Sequence, residues 1–308
     1  MNPLVSIIIP TKNGSKVIGR CLASIKQQDY PNYELIVIDN LSEDGTPKLV
    51  KKLMSQAKII ISKEGLSENR NMGIRMAKGK YVVMIDDDAY LSKNWISKMV
   101  GFIETKKNAA LVGGKILLDD SRIFSAGGGI SKLGNGYDLG CNEPKDSYNI
   151  TEKRHYLNTT SLISRKDLIL KVGLFDKATA FGYEDVDLGW KCNIAGFDVL
   201  YFPEAISYHP PKERKRTDPF WRTYVWRKNK VLTYLKNYEA KTLLKLSPFL
   251  LGVFLYDLIL KEDKKETFKG YTWNLLNIGH IIDQRKQIKK FRKKTDKQLF
   301  KELNWRFK

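Results

Sequence analysis

Cysteine is scarce in this 308-residue chain: Cys21, Cys141 and Cys192 are far apart and odd in number. That spacing supports neither a disulfide framework nor a thiolate zinc site, and it suits a reducing compartment. No G-x-G-x-x-G follows the first apolar run and no G-x-x-x-x-G-K-[ST] occurs anywhere, which excludes the dinucleotide fingerprint and the P-loop. Low-complexity tracts and fixed-period repeats are also missing. The opening MNPLVSIIIPTKNG has no basic n-region, and its apolar run stops within a few residues at Pro10. It reads as a first core strand, not as a signal peptide.

Positive charge is abundant but uneven. The net charge is +20, yet residues 1–209 hold 28 Lys+Arg against 24 Asp+Glu, while residues 210–308 hold 26 against 10. A nearly neutral body with a basic last third implies attraction to an anionic surface, either membrane headgroups or nucleic acid, and not a basic active site.

From residue 5 onward, short β-rich runs alternate with helical stretches. VSIIIPT (5–11) is followed by 15–28, where Val17, Ile18, Cys21, Leu22 and Ile25 recur at helical spacing. ELIVIDN (34–40), a helix near 46–55, KIIIS (58–62), a helix near 67–78 and KYVVMID (80–86) continue the rhythm. Continuous apolar strands joined by helices predict an α/β fold with a mainly parallel sheet covered on both faces. Ligands of such sheets sit at the carboxyl ends of the strands. Those ends are polar here: Pro10-Thr11-Lys12-Asn13, Asp39-Asn40 and Asp86-Asp87-Asp88. A less regular section begins near 119, and the glycines of SAGGGISKLGNGYDLG (125–140) predict either a mobile loop over a site or an exposed hairpin.

Three carboxylates ending an apolar strand repel one another and persist cheaply when a cation neutralises them. Oxygen ligands select a hard divalent ion, Mg²⁺ or Mn²⁺. On a strand, Asp86 and Asp88 would point one way and Asp87 the other, so the D-x-D pair would converge on one ion. A solvated turn with a helix cap is the competing reading. About 100 residues later, Glu184, Asp185 and Asp187 occupy the first turn of a helix ended by Gly196, where acids also gain from the helix dipole. His209 closes the run AISYH as a candidate third ligand, or as a structural histidine.

The order PTKNG, VIDN, GLSENRNMGIRMAKGKYVVMIDDD, GLFDKATAFGYEDVDLGWKCNIAGF and a late His resembles the family-2 inverting glycosyltransferases, and within them the rhamnosyltransferase-like members. The resemblance covers about residues 4–210. It implies a GT-A type, Rossmann-like sheet and a catalytic domain over 1–210. It further implies that Pro10, Thr11 and Asp39 hold the nucleotide base and ribose, and that Arg70 lies near the diphosphate. Asp86, Asp87 and Asp88 would face the nucleotide-sugar. Asp88 would be the direct metal ligand, joined by Asp86 and His209. Asp185 would be the general base, Glu184 would shape the acceptor site, and Trp190 would either line the acceptor side or pack against the sheet. The implied donor is a UDP-, dTDP- or GDP-sugar and the implied cofactor Mn²⁺ or Mg²⁺. The implied acceptor is a glycan or lipid-linked glycan of the cell envelope.

Beyond His209 the resemblance fades, and residues 211–308 predict a basic, partly apolar helical extension. KERKR (212–216) is a cationic cluster, WRTYVWRKNKVLTYLKNY (221–238) interleaves aromatics with cations, and LLKLSPFLLGVFLYDLIL (243–260) is apolar except at Lys245, Pro248 and Asp257. Those interruptions make a spanning helix a poor fit. Cations, Trp and Tyr beside an apolar helix suit an interfacial anchor on anionic lipid at the cytoplasmic face. Packing on the catalytic domain, or on a twin subunit as a homodimer, is the other reading. A nucleic-acid- or membrane-binding protein built on a non-catalytic transferase-like domain is the alternative for the whole chain. Nucleic acid is not the expected partner, because a long apolar stretch is unusual on such a surface.

Overall fold

The computed structural model describes residues 2–210, 218–260, 263–303 and 305. Its first part runs β1 (Val5–Thr11), α1 (Ile18–Lys26), β2 (Tyr33–Asp39), α2 (Thr46–Leu53), β3 (Lys58–Ile61), α3 (Leu66–Met76) and β4 (Tyr81–Ile85). These match the apolar runs read from the sequence to within a few residues. Helix α1 starts later than expected, because residues 15–17 form a turn on the Gly14 carbonyl. It then buries Ile18, Cys21, Leu22 and Ile25 as one stripe.

The next part comprises β5 (Tyr90–Leu91), α4 (Trp95–Thr105), β6 (Ala109–Leu117), β7 (Ile123–Ser125), β8 (Gly128–Ile130), β9 (Gly136–Asp138), β10 (Glu152–Lys153), β11 (Ser161–Arg165) and α5 (Lys166–Lys171). A 3-10 turn (Lys177–Thr179), α6 (Glu184–Ile194) and β12 (Asp198–Tyr208) complete the sheet. Strand order is β10-β12-β6-β11-β4-β1-β2-β3, with β5 on β12 and β7 on β6. The half built from β1 to β4 is parallel, as expected, and β11 runs antiparallel between β4 and β6. Strand β6 is hidden in the sequence by Gly113-Gly114. A Cβ at Gly114 would lie 2.0 Å from the Ala205 carbonyl oxygen, where β12 bulges against β6.

Two apolar clusters cover the two faces of the sheet, one built on Ile7, Val37, Val83 and Trp95, the other on Ile8, Ile36, Met84 and Leu188. A third joins α6 to the C-terminal helices α7 (Pro219–Asn237), α8 (Ala240–Leu260), α9 (Lys264–Leu276), α10 (Ile278–Phe291) and α11 (Asp296–Glu302) through Val186, Trp190, Tyr238 and Trp305. The extension therefore packs tightly on the helix that carries Asp185. The glycine-rich stretch is a hairpin, β8 with β9, whose first strand is buried beneath Tyr156 while the second stays partly exposed. The basic run 212–216 lies outside the described residues.

Helix α8 has two unlike faces. Asp257 turns inward, paired with Arg227 at 2.9 Å and with the Tyr271 hydroxyl at 3.1 Å, while Leu244, Phe249, Leu251, Leu255 and Ile259 are exposed. Among the described residues it is the one helix long and apolar enough to cross a membrane, over Ala240–Ile259 with mean hydropathy 1.6.

Candidate active site

The strand ends converge as the parallel rhythm predicts. Pro10 is buried in β1 opposite Ile38, and the next residue, Thr11, donates its hydroxyl to Asp87. Asp39 ends β2 with one oxygen accepting the Ser42 N–H at 2.9 Å. Its other oxygen, Oδ1, is buried with no donor among the described residues. A buried acceptor left unpaired is costly, so Oδ1 is suited to a ligand hydroxyl.

Strand β4 ends at Ile85, so Asp86, Asp87 and Asp88 lie on a turn closed by the Ala89 N–H on the Asp86 carbonyl, 3.1 Å. This corrects the expectation that strand pleating aims the pair. Asp86 and Asp88 do converge, but through the turn: a carboxylate oxygen from each and a ring nitrogen of His209 lie within 4.8 Å of one another. His209 is anchored by its backbone N–H on the Leu117 carbonyl and by its ring against Phe124. Its Nε2 is 3.3 Å from Asp88 Oδ1, yet is buried and makes no hydrogen bond among the described residues. Two carboxylates and an orphaned imidazole nitrogen are a donor set that fits a divalent cation.

Arg70, 1% exposed, links this rim to α6. It holds Asp86 and Glu184, both at 2.8 Å. Burial opposes its charge, but the two carboxylates outweigh that and raise its pKa above the ordinary guanidinium value. Part of the cation that tolerates three adjacent aspartates is thus Arg70 itself. Glu184 Oε2 has no donor among the described residues.

Asp185 is half-buried beside Glu184 and accepts the Val186 N–H. Burial, then the neighbouring Glu184 and Asp138 carboxylates, push its pKa well above the usual carboxylate range. A carboxylate so placed takes up a proton readily. The acids of this helix start are not merely helix-dipole partners, since each has its own contact. Asp187, fully buried, pairs with Lys191 at 3.1 Å and Lys236 at 3.0 Å.

Trp190 corrects an expectation. It is 1% exposed, edge-on to Tyr238 and Trp305, and so packs the third cluster instead of lining an acceptor side. Sequence reasoning also missed the residues that hold the loop before Asp185. The Asn229 amide donates to the carbonyls of Thr179, Phe181 and Gly182, and Lys236 reaches Asp176 at 2.6 Å. Buried polar residues at helical spacing in 228–237 were the available signal, concealed because the stretch reads as cationic surface.

Sheet and covering helices together have the GT-A fold. A fold of this kind is seen in a mannosyltransferase from Pyrobaculum calidifontis solved with GDP-Man and Mn²⁺, at TM-score 0.55 and 18% identity, covering 94% of this chain and 83% of that one. Residues 6–131 match the family described as Glycosyl transferase family 2. Glycosyltransferase AglE of Haloferax volcanii is 29% identical over 218 residues, 68% of each chain. WfaP of Escherichia coli, a UDP-Glc:alpha-D-GlcNAc-diphosphoundecaprenol beta-1,3-glucosyltransferase, is 35% identical over 107 residues, 34% of this chain and 43% of its own. The rhamnosyltransferase-like subgroup rests on motif order alone.

Proposed function

We propose that the chain is a metal-dependent inverting glycosyltransferase that moves a sugar from a UDP-, dTDP- or GDP-linked donor to a hydroxyl of a glycan or lipid-linked glycan. The convergence of Asp86, Asp88 and His209 on one side of Arg70, with Glu184 and Asp185 on the other, carries this reading. Thr11 and the unpaired Asp39 oxygen suit a nucleoside, with Pro10 shaping the strand end. A divalent ion held by Asp86, Asp88 and His209, Mn²⁺ or Mg²⁺, would stabilise the charge growing on the departing diphosphate. Asp87 orients the rim through Thr11, and Arg70 fixes the distance between rim and α6. Asp185 takes the proton of the incoming hydroxyl on the face of the sugar opposite the leaving group, which gives single displacement with inversion. Double displacement by a hydrolase would need a paired acid and nucleophile flanking the bond.

The acceptor named for WfaP supports a lipid-linked substrate, and the exposed apolar face of α8 beside a basic extension supports peripheral attachment at the cytoplasmic membrane face. The test is a nucleotide-release screen over UDP-, dTDP- and GDP-sugars with Mn²⁺ or Mg²⁺. Metal-dependent release from one donor, followed by NMR of the transferred sugar's anomeric configuration, is expected. Silence across the panel, or a product that retains configuration, would contradict it.

A further inference from the structure

A cavity of about 470 Å³ opens between the β8–β9 hairpin, Tyr183 and the outer face of α7. Arg222, Trp226 and Lys230 recur every four residues and present one stripe of α7 to it, with Arg227 alongside. Arg227 is committed to Asp257 at 2.9 Å. Lys230 is not committed: it is 5% exposed and makes no hydrogen bond or ion pair among the described residues. Arg222, at the exposed rim, also has no carboxylate partner among them.

An ammonium buried without a counter-charge is unfavourable, and it persists where a ligand supplies the charge. Burial and then the neighbouring Arg227 lower the Lys230 pKa to about 8 against a smaller opposing pull from Asp257, a carboxylate already engaged by Arg227, so the group stays mostly cationic at neutral pH without a carboxylate of its own. The cavity's position restricts what the anion belongs to. Tyr183, which forms one wall, has φ 66 and directly precedes Glu184 and Asp185, and its hydroxyl accepts the Gly136 N–H of the hairpin at 3.3 Å. A ligand anchored here lies on the Asp185 side of the site, whereas the D-x-D turn is held across Arg70.

We propose that this cavity binds a phosphate or diphosphate ester carried by the acceptor, with Lys230 and Arg222 neutralising it and Trp226 covering the attached chain. The volume suits such a group, and the compact Lys230 charge serves as a point anchor beside the forked guanidinium of Arg222. The inference rests on the transferase reading, in which Asp185 faces the acceptor.

Calorimetry in EDTA tests it, with inorganic pyrophosphate and decyl diphosphate as probes. The wild-type chain should bind both, decyl diphosphate more tightly. Lys230→Met and Arg222→Gln should each weaken binding at least tenfold. Because Lys230 is buried, its variant is accompanied by a thermal melt, and the rim variant Arg222→Gln gives an independent reading. Equal binding by wild type and both variants would overturn the site. Binding of pyrophosphate with exclusion of the decyl ester would overturn its assignment to an acceptor. Mn²⁺-dependent binding of nucleoside diphosphates, measured alongside, separates the two readings. If it persists while EDTA-phase binding is absent, the cavity inference alone falls. If nucleoside diphosphates fail to bind at all, the transferase reading falls.

Discussion

Lys236 of α7, fully buried, places its ammonium 2.6 Å from Asp176 and 3.0 Å from Asp187. Asp187 sits two residues after Asp185, and Asp176 opens the loop that leads to α6, so one lysine of the basic extension holds both ends of the segment bearing the candidate base. Burial alone would raise the pKa of Asp187, but Lys191 and Lys236 outweigh it and keep the carboxyl below its usual range. Removing one member of a buried pair costs about 3–5 kcal/mol. Lys236→Met should lower the unfolding free energy read from a urea titration by that order. Rescue by a paired Asp187→Asn change would be incomplete, because Asp176 stays uncompensated apart from His280.

Arg70→Met should be more damaging to activity than to folding. It leaves Asp86 and Glu184 facing each other without the guanidinium that spans them. The expected result is a fall in kcat of at least tenfold with a weaker apparent affinity for Mn²⁺, read by metal titration of donor turnover. Arg70→Lys should not restore both contacts, since one ammonium lacks the two-armed fork.

Asp185→Asn should separate binding from chemistry. Loss of a general base typically costs about 10²–10⁴ in rate. The variant should bind nucleoside diphosphate and Mn²⁺ as the wild type does, while transfer falls by that factor.

His155 gives the fold a pH dependence. Nδ1 accepts the Ile130 N–H and Nε2–H donates to the Leu303 carbonyl at 2.8 Å, so the ring is neutral when folded. Burial lowers its pKa to about 4, against about 6.5 for a free histidine. The unfolded chain therefore binds a proton between about pH 6.5 and pH 4 that the folded chain does not, and stability is lost as pH falls through that window. The loss is on the order of 3 kcal/mol, at 1.36 kcal/mol per pH unit. Urea midpoints at pH 7, 5.5 and 4.5 should decline accordingly, and His155→Gln should flatten the slope.

The outward face of α8 should bind lipid. Co-sedimentation with anionic vesicles should exceed that with neutral ones, and Leu251→Glu with Leu255→Glu should abolish it, since both side chains are exposed. Equal recovery with neutral and anionic vesicles would exclude an electrostatic anchor.

The parallel half of the sheet was legible because strands covered on both faces read as continuous apolar runs, and α1 announced itself through Ile18, Cys21, Leu22 and Ile25. Strand β6 was not, since Gly113 and Gly114 look like a break until the approach of Ala205 is known. The motif order located the rim acids and the acids of α6. It did not show that Arg70 ties them together, a contact between residues 114 apart in sequence. Helix α7 misled for a physical reason. Lys228, Asn229, Lys236 and Asn237 are long or polar side chains that composition assigns to water, yet they are buried on backbone carbonyls and the Asp176 carboxylate of the loop before α6 and on Asp187 within α6.

The most direct measurement is calorimetry of UDP, dTDP and GDP with Mn²⁺, comparing the wild type with Asp88→Ala. Binding of one nucleoside diphosphate that depends on Mn²⁺ and is lost in Asp88→Ala is the result predicted by a metal site at Asp86, Asp88 and His209. Binding that is unchanged by removing either the metal or the Asp88 carboxylate would contradict it.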